Sequence, residues 1–197
     1  MNSLRTESYV GGQAMRQVRD ALAKLRVEVF RAFPYLYEGS FDYELEYLEV
    51  YFRCDGAFSA LVWDGTSAVG ATTMLPLSDA EEDVRKPFTD AGYDVAKLAY
   101  FGESVLLEPY RGRGLGVKFF ELREAHARRL GLGACTFCAV DRPADHPARP
   151  ADYVPNDRFW ERRGYRKMPE LQATFSWPDI GETESTPKTM SFWMREL

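Results

Sequence analysis

The sequence is poor in the residues from which several kinds of site are built. Among 197 residues there are three cysteines and two histidines, and the formal net charge at pH 7 is -5. So few cysteines cannot form a disulfide framework and suit a reducing compartment. Surfaces that bind duplex nucleic acid usually carry excess Lys and Arg, so the acidic balance argues against nucleic acid as the main partner.

Long apolar runs are missing as well. None is long enough to span a bilayer, and the first residues, MNSLRTESYV, lack the apolar core of a signal peptide. These absences predict a cytoplasmic protein without a membrane partner. The apolar and charged fractions, 45% and 28%, are ordinary for a globular protein, and no repeat or linker divides the chain. We therefore expect a single domain over residues 1–197.

Several catalytic motifs are also absent. There is no G-x-S-x-G elbow and no H-E-x-x-H, which argues against serine hydrolases and zinc proteases. Cys135 and Cys138 are three residues apart on a predicted strand, so they point to opposite faces and cannot share a metal. His126 falls on the apolar stripe of a predicted helix, where a core histidine is expected. The sequence predicts no metal site.

What the chain does contain is a strand, a glycine- and arginine-rich turn, a helix and a second strand in succession. The apolar run Tyr100–Leu107 predicts the first strand and Arg111–Gly116 the turn. The helix is expected from near Arg113 to about Leu130, and Ala134–Val140 predicts a buried strand. A strand, crossover helix and strand in this order predict a parallel pair, or a pair that separates.

The turn predicts an anion-binding site. The first N–H groups of a helix have no intrahelical partners, and the helix dipole adds partial positive charge there. Gly112, Gly114 and Gly116 leave room for an anion to approach the main chain. Arg111 and Arg113 add donors and full positive charge. Phosphate or pyrophosphate is the expected ligand.

The spacing within the turn distinguishes among phosphate motifs. No stretch supplies the Walker pattern G-x-x-x-x-G-K-[ST], and the third glycine of a dinucleotide G-x-G-x-x-G falls on Val117. The segment Arg111–Gly116, R-G-R-G-L-G, instead fits [QR]-x-x-G-x-[GA]. With the later Arg163-Gly164-Tyr165 segment, it resembles the acyl-CoA loop of the GNAT superfamily of N-acetyltransferases, over roughly residues 55–197.

The resemblance implies an α/β (α+β) fold, with a central twisted mixed β-sheet flanked by helices. It implies an acyltransferase that moves an acetyl group from acetyl-CoA, its co-substrate, to a primary amine in a ternary complex. The pantetheine arm would enter between two diverging strands. The implied CoA-binding residues are the main chain of Leu106 and Leu107, the turn residues Arg111, Gly112, Arg113, Gly114, Leu115 and Gly116, and Asn156 and Trp160 on a later helix.

Glu103 is the candidate general base. It is a carboxylate within the apolar run Y-F-G-E-S-V-L-L, where a charge is costly unless it has a task or a partner. It would accept the proton of the acceptor's ammonium, directly or through water. The alternatives are a carboxylate at an exposed strand end and one paired with an arginine. Oxyanion stabilisation would come from a main-chain N–H near Leu106 or Leu107.

The general acid departs from the family pattern. Many GNAT enzymes have a tyrosine four residues before the glycine of the late segment, and here that position is Trp160, whose indole N–H is not a usable proton donor. Tyr153 is the nearest tyrosine before Trp160 in sequence and the candidate acid, with simple packing or an unassisted thiolate as the alternatives. Asn156 is expected to cap its helix or to contact CoA.

The acceptor would lie beside the loop that joins two amphipathic helices, Gln13–Ala32 and Phe41–Arg53. A small cationic amine is the expected acceptor, because the nearby residues are aromatic and acidic. Packing of the loop is the alternative role for its tyrosines. The candidate acceptor-binding residues are Tyr35, Tyr37, Glu38 and Asp141, with Asp145 beside them.

Two other functions fit the same sequence: an acyl-CoA sensor or scaffold without turnover, and an acetyltransferase for protein or peptide amines. A homodimer is possible through Phe192 and Trp193 on the last strand. The remaining predicted elements are strands 57–63, 67–75, 173–177 and 188–195, a short helix from Asp79 and a helix at 156–163.

Overall fold

The computed structural model describes residues 3–197 and contains an eight-stranded mixed sheet. The strands are β1 (Arg5–Val10), β2 (Phe58–Asp64), β3 (Ser67–Pro76), β4 (Leu98–Tyr100), β5 (Ser104–Leu106), β6 (Ala134–Val140), β7 (Arg166–Trp177) and β8 (Thr186–Glu196). Their order is β1-β2-β3-β4-β6-β8-β7, with β5 paired to β3. The β4–β6 pair is parallel, as the crossover predicts.

Helices cover both faces of this sheet. They are α1 (Gly12–Met15), α2 (Arg19–Phe30), α3 (Phe41–Phe52), α4 (Glu82–Asp90), α5 (Leu115–Arg129) and α6 (Asp157–Glu161). Leu22 of α2 and Leu48 of α3 belong to one core with Leu61 of β2. Phe120 of α5 belongs to a second core with Phe58. Phe58 and Leu61, three apart on β2, serve opposite faces, as the two-residue period of a strand requires.

The predicted strand Tyr100–Leu107 is wrong at its centre. The segment Phe101–Glu103 belongs to no strand and separates β4 from β5. The predicted helix Gln13–Ala32 is interrupted by a 3-10 turn at Arg16–Val18 and ends at Phe30. Its apolar stripe is nevertheless buried as predicted, with Met15 and Leu22 fully inaccessible to solvent.

Other boundaries also differ from the prediction. The helix expected from Asp79 begins at Glu82, after a 3-10 turn. Strand β1 was not predicted, because R-T-E-S-Y-V alternates weakly and lies at an edge where half of its side chains are exposed. Strand β7 begins at Arg166 instead of Ala173. The sequence does not indicate its first half, because exposed residues, including Pro169, outnumber buried ones there.

The prediction that Phe192 and Trp193 form a subunit contact is wrong, because both side chains are buried within the chain. Phe192 and Trp193 are 0% and 4% exposed and lie in the two cores of the same chain. Adjacent strand residues face opposite sides of a sheet, and here both sides are covered. Within residues 3–197, no helix is long and apolar enough to cross a membrane.

Candidate functional site

Strands β5 and β6 separate where the resemblance places the pantetheine arm. The β4–β6 pairing covers only Leu98–Tyr100 against Ala134–Thr136, and the Phe101 N–H donates to the Thr136 carbonyl at 2.8 Å. Beyond that point β5 pairs with β3, whereas β6 continues along β8. The predicted divergence of the two strands is therefore confirmed by the pairing of their neighbours.

The turn at the end of this gap has the conformation that its glycines permit. Gly112 and Gly114 have φ of 73° and 78°, in the left-handed region that favours glycine. No atom lies within 4 Å of the position that a Cβ would take at either residue. Helix α5 begins just beyond, at Leu115, and its first turn contains no acidic side chain. The exposed turn thus leaves the helix end open to an anion.

Glycine is needed at position 116 for a different reason than at positions 112 and 114. A Cβ at this position would lie 3.2 Å from Cζ of Phe159, on α6. Gly116 therefore allows α5 and α6 to approach closely. The sequence pattern alone could not separate this packing role from the predicted anion role.

The two arginines of the turn are exposed and hold its main chain. Arg111 Nε donates to the Leu106 carbonyl at 3.1 Å, and Arg113 Nη2 donates to the Pro109 carbonyl at 2.9 Å. A guanidinium has five N–H donors, so each arginine keeps further donors for a phosphate. These bonds hold the two positive charges next to the end of β5.

The main chain of β5 presents the Leu106 N–H toward the gap. The Leu107 N–H donates to the Val69 carbonyl at 3.0 Å, so it is not available as predicted. Leu106 lies opposite Gly70, one residue along from the hydrogen-bonded pair of Leu107 and Val69. Because hydrogen-bonded and non-hydrogen-bonded pairs alternate along antiparallel strands, Leu106 and Gly70 form a non-hydrogen-bonded pair. In such a pair the N–H points away from the partner strand, so the Leu106 N–H points away from β3, toward the β6 side.

Glu103 lies between β4 and β5 in a buried ion-pair cluster. Its side chain is 0% exposed and accepts a bond from Arg26 Nη1, while Arg26 Nε donates to Glu44. The alternative that Glu103 lies at an exposed strand end is therefore wrong. The alternative that Glu103 pairs with an arginine is confirmed. Oε1 of Glu103 and Oε1 of Glu44 are both buried without a hydrogen-bond partner. We call these three residues the carboxylate–arginine cluster.

The main chain of Glu103 is fixed as firmly as its side chain. Its carbonyl accepts bonds from the Thr73 N–H at 3.1 Å, Thr72 Oγ1 at 2.8 Å and Arg123 Nη1 at 3.3 Å. Arg123 lies on α5, and burial lowers the pKa of its guanidinium to about 10. The carbonyl is thus held from β3 and from α5, while the carboxylate points to α2.

The carboxylate–arginine cluster carries one net negative charge in apolar surroundings. The Arg26 guanidinium lies 4.0 Å from the ring centroid of Tyr47. Burial acts to lower the pKa of Arg26, but Glu103, Tyr47 and Glu44 together raise it well above its usual value. Arg26 is therefore a fixed cation, and two carboxylates share it.

Sequence reasoning missed Arg26 and Glu44, although a signal existed. Glu44, Leu48 and Tyr51 are spaced four and three apart and form the buried stripe of α3. Arg26 likewise adjoins Leu22 and Leu25 on the buried face of α2. A charged residue on an apolar stripe requires a partner, and here each charge supplies the partner of the other.

The acceptor-loop tyrosines pack beside this cluster. Tyr35 stacks on Trp177 with centroids 6.1 Å apart, and Tyr37 meets the same indole edge-on at 6.4 Å. Burial raises the pKa of both phenols, and for Tyr37 the neighbouring Glu44 raises it further. Both tyrosines are therefore neutral, and the loop-packing alternative describes their contacts.

The predicted acidic residues of the acceptor side are exposed and mostly paired. Glu38 forms an ion pair with Arg31. Asp141 bonds Lys167 Nζ at 3.0 Å and accepts a bond from the Ser191 hydroxyl. Asp145 is exposed. Glu38 and Asp141 thus have cationic partners of their own, whereas two carboxylates of the cluster share one guanidinium.

Arg142 connects the loop between α2 and α3 to the turn between β7 and β8. Its guanidinium donates to the carbonyls of Pro34 and Tyr35, both at 2.8 Å, and makes two bonds to Asp179 at 2.8 and 2.7 Å. Burial acts to raise the pKa of Asp179, but Arg142 and Lys188 hold it below its usual range. The Ile180 N–H adds a bond to the Leu36 carbonyl at 2.8 Å.

Removing this guanidinium should loosen the loop. We expect Arg142→Ala to speed hydrogen exchange at the amides of Tyr37 and Ile180 by roughly 10- to 100-fold, because charge-assisted bonds contribute about 1.5–3 kcal/mol. Hydrogen exchange followed by NMR measures this effect. Arg166→Ala, which removes an exposed arginine from β7, serves as the control. Unchanged rates in Arg142→Ala would contradict the assigned role.

The residues predicted on and before α6 mainly pack. Trp160 lies with its ring 5.0 Å from that of Phe137 and 5.1 Å from that of Trp193. Asn156 occupies the N-cap position of α6, as predicted, but its side chain makes no cap hydrogen bond. Tyr153 is half-buried, and its ring meets that of Phe33 edge-on at 4.7 Å. Burial raises the pKa of its phenol.

Two further side chains have the inert roles predicted for them. Burial raises the pKa of the Cys138 thiol to about 11, and its Sγ lies 3.4 Å from Tyr100 Oη. His126 Nε2 lies 3.0 Å from the Gly56 carbonyl, and its ring stacks on Phe58 with centroids 5.1 Å apart. Neither forms part of a nucleophile and base pair.

A cavity of about 410 Å³ lies between α5 and the end of α6, away from the carboxylate–arginine cluster. Among its lining residues, Glu124 accepts bonds from Arg195 Nη1 at 3.0 and 3.1 Å. Those charges are already satisfied by each other. Hence the buried, partly unpaired carboxylates of the cluster, and not this cavity, mark the candidate reaction centre.

Comparison with known proteins identifies the fold. No profile of a protein family matches the sequence, and no curated protein matches it. Among solved structures, an acetyltransferase of the GNAT family from Staphylococcus aureus Mu50 has 12% identity and a TM-score of 0.58, with 99% of each chain covered. An acetyltransferase from Thermus thermophilus has 16% identity and a TM-score of 0.59, with 100% of each chain covered.

A third structure adds a ligand. It is yncA from Salmonella typhimurium, a candidate acetyltransferase solved with its cofactor acetyl-CoA. It shares 12% identity with this chain at a TM-score of 0.58, over 100% of this chain and 95% of its own. The chain therefore has the fold of the GNAT acetyltransferases, as its turn predicts.

Proposed function

We propose that this chain, with its GNAT acetyltransferase fold, is an acetyl-CoA-dependent N-acetyltransferase that acts on a small cationic primary amine. The observation that carries the proposal is the position of Glu103. Its buried carboxylate belongs to the segment that leads into β5, the strand whose far end is the glycine- and arginine-rich turn. A proton acceptor and an anion site thus flank one gap between strands.

The turn and β5 would bind acetyl-CoA. The main chain around Gly112 and Gly114 and the start of α5 would hold the pyrophosphate, with Arg111 and Arg113 neutralising its charge. The Leu106 N–H would donate to the thioester oxygen as negative charge develops there. Trp160 and Asn156 would flank the same ligand from α6, and no metal is required for these steps.

Glu103 would make the amine nucleophilic. An N–H bond of the bound ammonium breaks, its electron pair stays on nitrogen, and the proton forms an O–H bond at the carboxylate, directly or through water. The neutral amine then attacks the thioester carbon, the C–S bond breaks with its electron pair on sulfur, and the thiolate leaves. The nitrogen loses a second proton as the amide forms, and this proton passes to water. Tyr153 is the proposed donor of a proton to that sulfur. The excess negative charge of the carboxylate–arginine cluster favours a cationic acceptor, held beside Tyr35 and Tyr37.

A second function is an acyl-CoA sensor or scaffold without turnover. One specific observation favours it: Glu103 already has Arg26 as a partner, so its burial has a structural explanation. The tryptophan at the usual position of the acid agrees with this alternative. The two functions share the CoA site and differ in whether the acetyl group is transferred.

We expect calorimetric titration to show binding of acetyl-CoA and of CoA by the intact protein. The double variant Arg111→Ala, Arg113→Ala should bind roughly 10- to 1000-fold more weakly, because a bond from a charged group contributes about 1.5–3 kcal/mol. Both side chains also hold carbonyls of the turn, so the turn loses order as well.

The matched control is Arg128→Ala, Arg129→Ala, which removes the same charge from the other end of α5. It should leave the affinity within about threefold, because these residues lie far along the helix from its N-terminal anion site. Absence of acetyl-CoA binding by the intact protein would refute the proposed function.

A further inference from the structure

Two carboxylates share a single arginine beside the proposed base. Arg26 Nη1 binds one oxygen of Glu103, and Arg26 Nε binds one oxygen of Glu44. The other oxygen of each carboxylate has no hydrogen-bond partner, although Glu44 is 0% and Glu103 4% exposed. A buried ion pair with one carboxylate would neutralise the charge of Arg26. The second carboxylate therefore needs a separate explanation.

We propose that Glu44 is a positioning residue for the reaction: it binds Nε of Arg26 and neutralises part of the guanidinium charge, so that Glu103 can accept a proton. The inference rests on the proposed function. A carboxylate bound only by a guanidinium is a poor base, because the cation stabilises its charged form. Glu44 neutralises that cation from the opposite side and also repels the charge on Glu103. Both effects make proton uptake by Glu103 easier.

The geometry also selects the accepting atom. Arg26 occupies Oε2 of Glu103, so Oε1 is the oxygen without a partner. In the proposed step an ammonium N–H bond breaks and an O–H bond forms at Oε1. The bond from Arg26 to Oε2 is kept, and the net charge of the carboxylate–arginine cluster changes from one negative to zero.

Other groups around Glu103 do not replace Glu44 in this role. Arg123 of α5 is a cation that binds the Glu103 carbonyl at 3.3 Å. Thr72 and Thr73 of β3 do not titrate. The phenols of α3, Tyr47 and Tyr51, have pKa values raised by burial, so they remain neutral. Among the described groups packed around Glu103, Glu44 thus supplies the negative charge that opposes Arg26.

The test is a pH titration of the ligand-free protein, with side-chain carboxyl carbons observed by ¹³C NMR. The Glu103 signal is identified as the one lost in Glu103→Gln. In Glu44→Gln, Glu103 should take up its proton at a lower pH than in the wild-type protein, because an unopposed cation favours the carboxylate. Glu44→Asp keeps the charge and should restore most of the wild-type titration, whereas a purely structural role would not separate these variants.

Glu49→Gln is the matched control. Glu49 also lies on α3 and pairs with an arginine, Arg16, at 2.9 Å, but in a half-exposed pair, so the Glu103 titration should not move. With an amine substrate, the acid limb of the rate profile of Glu44→Gln should shift in the same direction, with a several-fold lower maximal kcat.

An unmoved Glu103 titration in Glu44→Gln would overturn the inference, as would a Glu44→Asp variant that behaves like Glu44→Gln. These results do not depend on turnover. A protein that fails to bind acetyl-CoA refutes the proposed function, whereas an unmoved titration in a protein that does bind it refutes only the role of Glu44.

Discussion

Glu103→Gln should lower kcat by roughly 10²- to 10⁴-fold while the affinity for acetyl-CoA is kept, because general-base catalysis contributes about that much. Glutamine has the shape of glutamate and can still accept a bond from Arg26, but it cannot take a proton. The variant leaves Arg26 with Glu44 as its partner, so no buried charge is left unpaired. Steady-state kinetics with an amine substrate, together with calorimetry, measures the two quantities.

The pH dependence gives this prediction a second observable. A lysine-like amine is mostly protonated below about pH 10 and needs a base, whereas at higher pH the neutral form is already present. The deficit of Glu103→Gln should therefore shrink as the pH approaches that value. Glu108→Gln, an exposed carboxylate on the same segment, is the control and should keep its activity.

The two proposed functions give different outcomes in this experiment. If Glu103→Gln turns over acetyl-CoA as fast as the wild-type protein, Glu103 is not the base and only its pairing with Arg26 explains its burial. If no amine is acetylated by either protein although acetyl-CoA binds, the sensor or scaffold function is supported. Loss of turnover with retained binding supports the acetyltransferase.

The sequence predicts the turn and its surroundings well because local rules determine them. The order of strand, turn and helix, the positive φ of Gly112 and Gly114, and the parallel crossover all depend on residues close in the chain. The break between β4 and β5 is different. It depends on β3, which pairs with both, and on hydroxyl and guanidinium groups that bind the Glu103 carbonyl.

The charged centre could be predicted only in part for the same reason. Glu103 is conspicuous in an apolar run, but its partner Arg26 is 77 residues earlier in the chain. A carboxylate and an arginine on the stripes of two neighbouring helices indicate burial without indicating which charges meet. Conversely, the carboxylates of Glu38 and Asp141 suit a cationic acceptor, yet they lie at the surface with partners of their own.

Arg26→Met should destabilise the fold by about 3–5 kcal/mol, because it leaves buried carboxylates without a counter-charge. Methionine fills a similar volume beside Tyr47, so lost packing contributes little. Urea unfolding followed by circular dichroism measures the free energy.

The neighbouring Arg16→Met is the matched control for this prediction. Arg16 also pairs with a glutamate of α3, at 2.9 Å, and lies 5.1 Å from the ring of Phe52, but its pair with Glu49 is half-exposed. Its loss should cost about 0–1 kcal/mol. Combining Arg26→Met with Glu44→Gln and Glu103→Gln should recover most of the stability, because no charge of the carboxylate–arginine cluster then remains. If the triple variant were as unstable as Arg26→Met, the burial of charge would not be the cause, and the packing of Arg26 against Tyr47 would have to carry the effect.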